Sequence, residues 1–323
     1  MKKSAIVAIA VAAVVLAAHA ADDAAAKKEE PAAKTHAELL RAKLESRDRS
    51  YVFVTMHRGD WRHAPENSVG AIKGSIDIGA DIVELDVSKT KDGRFVLLHD
   101  GSLDRVSNGK GPSTDYTVEE IKKFRLKGTD GKTITDYEIL TLEEAFALTK
   151  GKILVNIDKF PRDPKGVAEC ARRCGVEREV IFKGGFSPKD LKSRMGDQWA
   201  GIVDGTFLYM PIITINKPNA MKGFTAWQEA EKVPFAYELC FAKEEPLEVL
   251  ESLEKVQANG GPRIWINTLW DSLCAGHTDE RGHEGDADGS WGWCLSRGAT
   301  MIQTDRPVDL LKYLSEKGRR NLK

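Results

Sequence analysis

From Tyr51 onward the chain alternates between short apolar runs and longer stretches with helical spacing. Two of the helical stretches begin with a Thr-x-x-Glu capping box, at Thr117 and at Thr141. A repeated strand–helix order predicts a parallel sheet, and about eight such units close into a barrel. The runs with strand character are Tyr51–Met56, Ile82–Val87, Phe95–Leu98, Ile153–Ile157, Glu179–Phe182, Thr206–Thr214, Phe235–Cys240, Arg263–Ile266 and Thr300–Gln303.

These runs exceed by one the eight strands of a closed barrel. One of them therefore lies outside the barrel or is not a strand, and Phe235–Cys240 is the weakest of the set. Upstream, His36–Arg47 has helical spacing with Leu39, Leu40 and Leu44 on one side, which suits a helix that closes the bottom of the barrel. The predicted fold is α/β, a (β/α)8 TIM barrel with an N-terminal helix before the first strand.

Residues 1–20 have the pattern of an export signal, with a basic start, the apolar run Ala5–Ala18 and small residues at the cleavage positions. The run is shorter than the roughly 20 residues that span a bilayer, although an uncleaved anchor is the alternative. Residues 21–35 are almost entirely Ala, Lys, Asp and Glu and predict a flexible spacer. Residues 36–323 then form one barrel domain. We expect an exported protein, periplasmic or secreted, with no stable membrane insertion after cleavage.

Charge and cysteine content narrow the function classes. The formal net charge is -1 and no basic stripe is present, so a nucleic-acid surface is not expected. No obligate protein partner is implied. Five cysteines leave at least one unpaired in a monomer. Cys274 and Cys294 flank one long loop and are the pair to test for a disulfide, whereas Cys170 and Cys174 fit buried thiols on a helix.

Polar residues interrupt the apolar strands at or near their C-terminal ends. In a parallel sheet both faces are covered, so buried unpaired charges there would be costly. Side chains two apart on a strand share a face, which places Glu84 with Asp86 and Asn156 with Asp158. In a barrel the C-terminal ends of the strands form the catalytic face. The charged or imidazole side chains expected there are Glu84, Asp86, Asp158, His57, His99, Arg58 and Lys183.

This set of side chains suits phosphoryl chemistry. Three carboxylates are hard oxygen ligands and favour one divalent cation, Ca²⁺ or Mg²⁺, over zinc. Two imidazoles near a cation can act as general base and general acid, while Arg58 and Lys183 could hold a phosphate. Taken singly, each of these side chains is more often a solvated surface group. Their joint placement on successive strand ends is what favours a site.

The same residues occur in a recognisable order of motifs. They are His57-Arg58-Gly59, Pro65-Glu66-Asn67-Ser68, Glu84-Leu85-Asp86-Val87, Thr90-Lys91-Asp92-Gly93, His99-Asp100, Leu103-Asp104-Arg105, Thr141-Leu142-Glu143-Glu144, Val155-Asn156-Ile157-Asp158, Trp265-Ile266-Asn267 and Thr304-Asp305-Arg306-Pro307. In this order the chain closely resembles the glycerophosphodiester phosphodiesterase family. The resemblance spans roughly Val52 to Leu314 and is strongest before Asp158.

The resemblance implies a barrel of the phospholipase C-like phosphodiesterase type that hydrolyses small glycerophosphodiesters to glycerol 3-phosphate and an alcohol. It implies a divalent cation on Glu84, Asp86 and Asp158, with His57 as base and His99 as acid. The nucleophile is water, or first a neighbouring substrate hydroxyl that gives a cyclic phosphate. Substrate and phosphate contacts are expected from Arg58, Lys183 and Trp265, and Glu66 and Asn67 are expected to orient the site.

Two departures from the family pattern concern the third carboxylate. Asp158 stands where the family usually has Glu. The family commonly has Lys two residues after that acid, whereas this chain has Phe160 there and Lys159 one residue earlier. On a strand Lys159 should face away from the site. We therefore expect Lys183, one strand later, to supply the missing positive charge, and Lys183→Ala to cost more activity than Lys159→Ala.

The segment after Trp265-Ile266-Asn267 is long and polar and should lie over the catalytic face. A solvated lid, with Trp291 and Trp293 packed or covering the pocket, is favoured over a second metal site at Asp286–Asp288. Glu238 is equally compatible with the pocket and with the surface. Two other function classes remain: a phospholipase C- or D-like activity on intact lipids, and a non-catalytic secreted binding protein on the same barrel.

Overall fold

The computed structural model describes residues 33–245 and 247–322, and residues 35–323 form one compact unit. The predicted export signal, 1–20, and most of the predicted spacer, 21–35, lie outside the described residues. Within the described part, no helix combines the length and the apolar character needed to cross a membrane.

Eight parallel strands close into a barrel, in which the last strand along the chain pairs back to the first. This arrangement confirms the predicted (β/α)8 architecture. The barrel strands are β1 (Phe53–Met56), β2 (Ile82–Lys89), β6 (Leu154–Asp158), β7 (Val180–Gly184), β8 (Leu208–Thr214), β9 (Ala236–Cys240), β10 (Arg263–Asn267) and β11 (Ala299–Thr304).

Helices connect the barrel strands and cover them from outside. Both predicted capping boxes form, at Thr117 with Glu120 and at Thr141 with Glu144. The α-helices are His36–Glu45, Val69–Ile78, Val118–Ile121, Leu142–Thr149, Pro164–Cys174, Pro188–Met195, Trp199–Val203, Ala220–Gln228, Glu248–Ala258, Asp271–Cys274, Asp279–His283, Trp293–Ser296 and Pro307–Glu316.

The surplus strand is not the one that the sequence pattern singled out. Ala236–Cys240 is a full barrel member, β9, paired on both sides. The strand outside the barrel is β3 (Phe95–Leu97), which runs antiparallel to the end of β2. Its three residues are as apolar as a barrel strand because a helix and the end of β2 cover them. A short hairpin of β4 (Arg125–Lys127) and β5 (Ile134–Glu138), which was not predicted, follows outside the barrel.

The barrel interior changes from apolar to polar along the strands. Alternate residues point inward, so β1 contributes Phe53, then Thr55, and β2 contributes Ile82, then Glu84. The inner residues at the N-terminal ends form one hydrophobic cluster, which includes Phe53, Ile82, Leu154, Ile181, Leu208, Ala236, Trp265 and Met301. Inward positions such as Glu84 become charged toward the C-terminal ends, while Arg263 is also buried against the inner cluster at the N-terminal end, over the ring of Phe53.

Helix His36–Glu45 closes the N-terminal end of the barrel, as predicted. Leu40 and Leu44 belong to the same inner cluster, and Arg263 at the start of β10 donates hydrogen bonds of 2.8 Å and 2.7 Å to the carbonyls of Leu44 and Lys43. Leu39, predicted on the packed side, is instead 44% exposed. The closed end leaves the opposite end of the barrel for chemistry.

The polar segment between β10 and β11 is folded against the barrel. It forms three short helices and one π-helical turn that leave many of its polar residues exposed, and the prediction that Trp291 and Trp293 are packed is confirmed. Trp291 is buried, and Trp293 stacks on the buried ring of His277 with centroids 3.8 Å apart. Cys274 and Cys294 are buried free thiols, so the disulfide considered for them is not formed.

Candidate active site

Three carboxylates from neighbouring strands meet at the open end of the barrel. Asp86 on β2 and Asp158 on β6 are direct partners in the parallel register, and Glu84 lies one inward position below Asp86. One oxygen from each of Glu84, Asp86 and Asp158 lies within 4.8 Å of the others. The prediction that these side chains converge is confirmed.

The loop after β1 fixes two of the three acids. The amide of Arg58 donates to Oε2 of Glu84 at 2.8 Å. Asn67 makes two hydrogen bonds of 3.0 Å to Asp86, one from its amide group to Oδ2 and one from the Asp86 backbone to its oxygen. Both Arg58 and Asn67 have positive φ, 54° and 59°. Such strain in residues with a side chain is uncommon and concentrates at functional sites.

The carboxylate cluster is largely buried, and its side chains act strongly on one another's ionisation. Burial, followed by the nearby charge of Asp86, raises the pKa of Glu84 well above its usual value. Burial acts in the same direction on Asp158, but Lys183 and Lys159 outweigh it and hold the pKa of that carboxyl low. Oδ1 of Asp86 is buried without a hydrogen-bond donor among the described residues. A buried acceptor of this kind fits a bound cation.

Lys159 faces the cluster, contrary to the prediction that it would point away. Its φ of 59° turns the backbone at the end of β6, so strand alternation no longer governs its direction. The ammonium lies 3.0 Å from Oδ2 of Asp158 and 3.9 Å from Oδ1 of Asp86. The chain thus places an ammonium beside the third carboxylate even though Lys occurs one residue early in the sequence.

Lys183 lies deeper, inside the barrel. Its Nζ is 3.2 Å from Oε2 of Glu238 and 3.5 Å from Oε1 of Gln303, and its side chain is 4% exposed. Although burial lowers the pKa of Lys183, the charges of Glu238, Asp158 and Glu84 raise it further, so the ammonium stays charged. Glu238 is 4% exposed, so its carboxylate faces the barrel interior and not the surface.

His57 follows β1 and is held by a carboxylate that the sequence analysis did not single out. Nδ1 of His57 lies 3.0 Å from Oδ1 of Asp305, which follows β11 and also accepts 2.6 Å from Nε1 of Trp61. Although burial opposes it, contact with His57 holds the pKa of Asp305 below its usual value. An ionised carboxylate only accepts, so Nδ1 carries the hydrogen and Nε2 is the free nitrogen.

Asp305 is in turn held by Asp279 from the segment between β10 and β11. Oδ2 of Asp279 accepts from the Asp305 amide at 2.7 Å. Its Oδ1 accepts from Thr268, Thr304 and Trp291 at 2.6, 2.8 and 2.9 Å. Asp279 is 1% exposed, and burial raises its pKa to about 6. A carboxylate two steps behind His57 therefore anchors the orientation of the ring.

His99 follows β3, and a hydrogen bond of 3.0 Å from the Leu98 amide to the Asp86 carbonyl ties this position to the cluster. Nδ1 of His99 lies 2.6 Å from Oδ1 of Asp100. Arg105 donates 2.6 Å to Asp100 and two bonds of 2.7 Å to Glu66. Arg105 is the main reason that the pKa of Asp100 falls to about 2. Glu66 also contacts Arg58 at 3.2 Å, so one chain of ion pairs joins His99 to the first loop.

Two tryptophans on and after β10 differ from expectation. Trp265, predicted to contact substrate, is 0% exposed, packs in the inner cluster and donates 2.7 Å to Asn267. It supports the polar layer from below, and its side chain is not accessible to a substrate. Trp270 was not predicted; it is 50% exposed and its ring meets His57 edge-on with centroids 5.5 Å apart. The alternation of strand residues predicted that Trp265 points into the barrel, but not how far from the open end it lies.

This geometry defines a class of protein: a (β/α)8 barrel whose open end carries a carboxylate cluster and two carboxylate-paired imidazoles. Residues 57–182 match the glycerophosphoryl diester phosphodiesterase family, and residues 209–314 match a domain of unknown function. The chain is 38% identical over 173 residues to the "Putative glycerophosphodiester phosphodiesterase YhdW" of Bacillus subtilis, covering 52% of this chain and 67% of that protein. The chain belongs to the glycerophosphoryl diester phosphodiesterase family.

Two further comparisons agree in fold and in sequence. A glycerophosphodiester phosphodiesterase of Caldanaerobacter subterraneus subsp. tengcongensis is 45% identical over 148 residues, which are 43% of this chain and 61% of that protein. The chain thus spans less than two thirds of this relative. The crystal structure of a glycerophosphoryl diester phosphodiesterase from Parabacteroides distasonis has a TM-score of 0.66 at 22% identity, covering 88% of this chain and 93% of that one.

Proposed function

We propose that the protein hydrolyses small glycerophosphodiesters to glycerol 3-phosphate and an alcohol, with one divalent cation, Ca²⁺ or Mg²⁺. The observation that carries the proposal is the convergence of Glu84, Asp86 and Asp158 beside two imidazoles, each oriented by its own carboxylate. Family membership supports the same reaction. The proposal extends to export into the periplasm or the medium, on the pattern of residues 1–20.

The residues present fit a hard divalent cation. Glu84, Asp86 and Asp158 would hold it through oxygen atoms alone, and the buried Oδ1 of Asp86 has no competing donor among the described residues. When bound, the cation supplies positive charge against the oxygens of the transferred phosphoryl group. Arg58 and Lys183 are the side chains that we propose for the remaining phosphate charge, and Asn67 and Glu66 keep Asp86 and Arg58 in place.

Proton transfer is assigned to the free Nε2 atoms of the two histidines. Nε2 of His57 takes a proton from water as the water oxygen forms a bond to phosphorus. The bond from phosphorus to the alcohol oxygen breaks, and His99 gives its proton to that oxygen. We propose His57 as the base and His99 as the acid, and each ring is held through Nδ1 by a carboxylate that leaves its Nε2 free. A neighbouring substrate hydroxyl that attacks first would give a cyclic phosphate by the same transfers.

The test is hydrolysis of glycerophosphocholine, glycerophosphoethanolamine and glycerophosphoinositol, each with EDTA and with added Ca²⁺ or Mg²⁺. We expect release of glycerol 3-phosphate only with a cation. His57→Asn and His99→Asn should each lower kcat by about 10²–10⁴-fold. The matched control is His63→Asn, because the side chain of His63 is 76% exposed and its ring contacts only Asp60 among the described residues.

Each remaining outcome points to a different function. Turnover of intact phospholipid in vesicles without turnover of the small diesters would move the function to a phospholipase. Cation binding without turnover of any diester would favour a binding protein on the same barrel. Loss of activity in the His63 variant equal to that in the His57 variant would reject the assignment of roles.

A further inference from the structure

A pocket outside the barrel lies against the residues that hold both histidines. It has a volume of about 200 Å³, and its walls include Trp61, Glu66, Arg105, Lys127 and Thr129. Trp61 donates to Asp305, the partner of His57, and Arg105 donates to Asp100, the partner of His99. The far wall is the hairpin of β4 and β5. Pockets for drug-sized ligands hold roughly 300–1,000 Å³, so this one suits a small group and not a whole lipid.

The walls carry an excess of positive charge. Glu66 is the one ionised acid among the wall residues, and both of its oxygens accept from Arg105, with Arg58 bonded to it as well. Lys127 contributes a second positively charged side chain, besides Arg105. Its ammonium donates to the main-chain carbonyls of Asp104 and Arg105, at 2.7 Å and 3.1 Å, and meets no carboxylate in those bonds.

The charge of these walls would distinguish between the possible alcohol groups of a diester. A quaternary ammonium head group would enter beside Arg105 and Lys127 with no unengaged carboxylate in the walls to receive it. Hydroxyls or an anionic group would instead accept hydrogen bonds from those cations. The ring of Trp61 offers an apolar wall beside them.

We propose that this pocket is the subsite for the alcohol part of the substrate, and that it takes a hydroxyl-rich, neutral or anionic alcohol in preference to a cationic one. The inference rests on the proposed diesterase function, and it assigns a role to the hairpin. Lys127 is the residue that sets the preference, because its charge is the part not balanced within the walls.

The test compares kcat/KM for glycerophosphoinositol, glycerophosphoglycerol and glycerophosphocholine in the wild type and in two variants. Loss of a hydrogen bond to a charged group is worth about 1.5–3 kcal/mol, or roughly a 10–100-fold change. We expect Lys127→Met to lower kcat/KM for the first two substrates by about that factor and to leave glycerophosphocholine within about 3-fold. Thr129→Trp, at an exposed position in the wall, should fill the pocket and act on all head groups.

Matched controls come from the same hairpin turn. Lys132→Met and Lys132→Trp remove or add the same groups at an exposed position outside the pocket walls, and they should change nothing. An equal loss for all three substrates in Lys127→Met would mean that Lys127 only supports Arg105, and an unchanged selectivity would mean that it does not face substrate. Either result overturns the subsite.

A binding measurement separates failure of the subsite from failure of the function. The His57→Asn protein should bind glycerophosphoinositol more tightly than glycerophosphocholine in calorimetry, and added Lys127→Met should remove the difference. Selective binding without turnover in the wild type would leave the subsite standing and reject the diesterase. Turnover with no selectivity in binding or in kcat/KM would support the diesterase function and reject the subsite.

Discussion

At the residue scale, the site balances buried charges in pairs. Lys183 and Glu238 neutralise each other inside the barrel at 3.2 Å, while Lys159 reaches Asp158 from the rim at 3.0 Å. The side chain of Lys183 is 4% exposed and that of Lys159 is 27% exposed. Breaking a buried pair is far more costly than breaking an exposed one, because it leaves an uncompensated charge.

We predict different losses for the two lysines. Lys183→Met should lower the free energy of unfolding by about 3–5 kcal/mol, since Glu238 stays buried without its partner. It should also lower kcat/KM more than Lys159→Met does, because the charge of Lys183 acts on both Glu84 and Asp158. Lys159→Met should change stability by less than about 1 kcal/mol. Denaturant unfolding and diester kinetics on the same preparations give both quantities.

A double variant distinguishes a role in the site from a role in folding. Lys183→Met with Glu238→Gln removes both charges and should recover most of the lost stability. If its activity also recovers, Lys183 serves only to neutralise Glu238. Equal activity losses in the Lys159 and Lys183 single variants would reject Lys183 as the main positive charge.

Strand alternation predicted the site residues as far as the strands are regular. Glu84, Asp86 and Asp158 lie on inward positions of continuous strands, so their convergence followed from their spacing. Lys159 was misplaced because its left-handed backbone leaves no mark in the residue type. Asp305 was missed as a site residue although a polar residue directly after a strand is the same signal that identified His57 and His99.

At the element scale, the segment between β10 and β11 is part of the histidine support. Asp279 begins a short helix there and binds groups from both flanking strand ends, Thr268 after β10 and Thr304 on β11. The Asp305 amide is fixed by the same carboxylate. Part of the region that matches a domain of unknown function thus holds the orientation of His57.

We predict that Asp279→Asn lowers kcat by about 10–100-fold, the usual cost of losing a supporting hydrogen bond behind a functional ring. Asn has the same shape, but its NH2 group is a donor. In either orientation it would face another donor, the Asp305 amide on one side or Thr268, Thr304 and Trp291 on the other. KM should change little, because Asp279 contacts no substrate. Steady-state kinetics and the pH dependence of kcat measure this effect.

The control for Asp279 is Asp286→Asn in the same segment. The side chain of Asp286 is 53% exposed and pairs with Arg281 on the surface, so its loss should leave kcat unchanged. A shift of the His57 titration by nuclear magnetic resonance in Asp279→Asn, but not in Asp286→Asn, would establish the positioning role. An unchanged titration with reduced kcat would contradict it.

The sequence predicted most helices and strands, but it did not show that β9 belongs to the barrel and that β3 lies outside it. β3 and β9 are both short apolar runs, and periodicity reports burial without reporting which partner buries a strand. The short link from β2 to β3, residues 90–94, is what separates them, because a parallel neighbour requires a crossover of a dozen or more residues. The β4–β5 hairpin was missed because β4 has a single buried residue, Leu126, and β5 alternates between exposed and partly buried residues, so neither strand forms an apolar run.

At the scale of the whole molecule, the barrel is closed by a helix at one end, where its inner residues are mainly apolar, and carries the carboxylate cluster at the other. Helix His36–Glu45 covers the inner cluster at the N-terminal end, where Arg263 bonds to its last carbonyls. The acids Glu84, Asp86 and Asp158 occupy the other end, where Lys159 and Lys183 offset only part of their charge. Repulsion between Glu84 and Asp86 therefore works against folding until a cation offsets it.

We predict that the stability of the entire barrel depends on the cation. A ligand that binds only the folded state at 100 times its Kd adds about 2.7 kcal/mol. For a domain of this size that corresponds to a rise in Tm of about 4–5 °C. Differential scanning calorimetry with EDTA, and then with Ca²⁺ or Mg²⁺, should show the rise and identify the preferred ion.

Glu84→Gln provides the matched comparison, because it removes one charge from the cluster with little change of shape. In EDTA this variant should melt at or above the wild-type Tm, since a like-charge contact with Asp86 is lost. Adding the cation should raise the Tm of this variant only slightly, because one ligand is missing. With the cation present, the wild type should therefore have the higher Tm. A cation that raises both Tm values equally would place the binding site elsewhere, and a variant less stable in EDTA would mean that the acids support the fold by themselves.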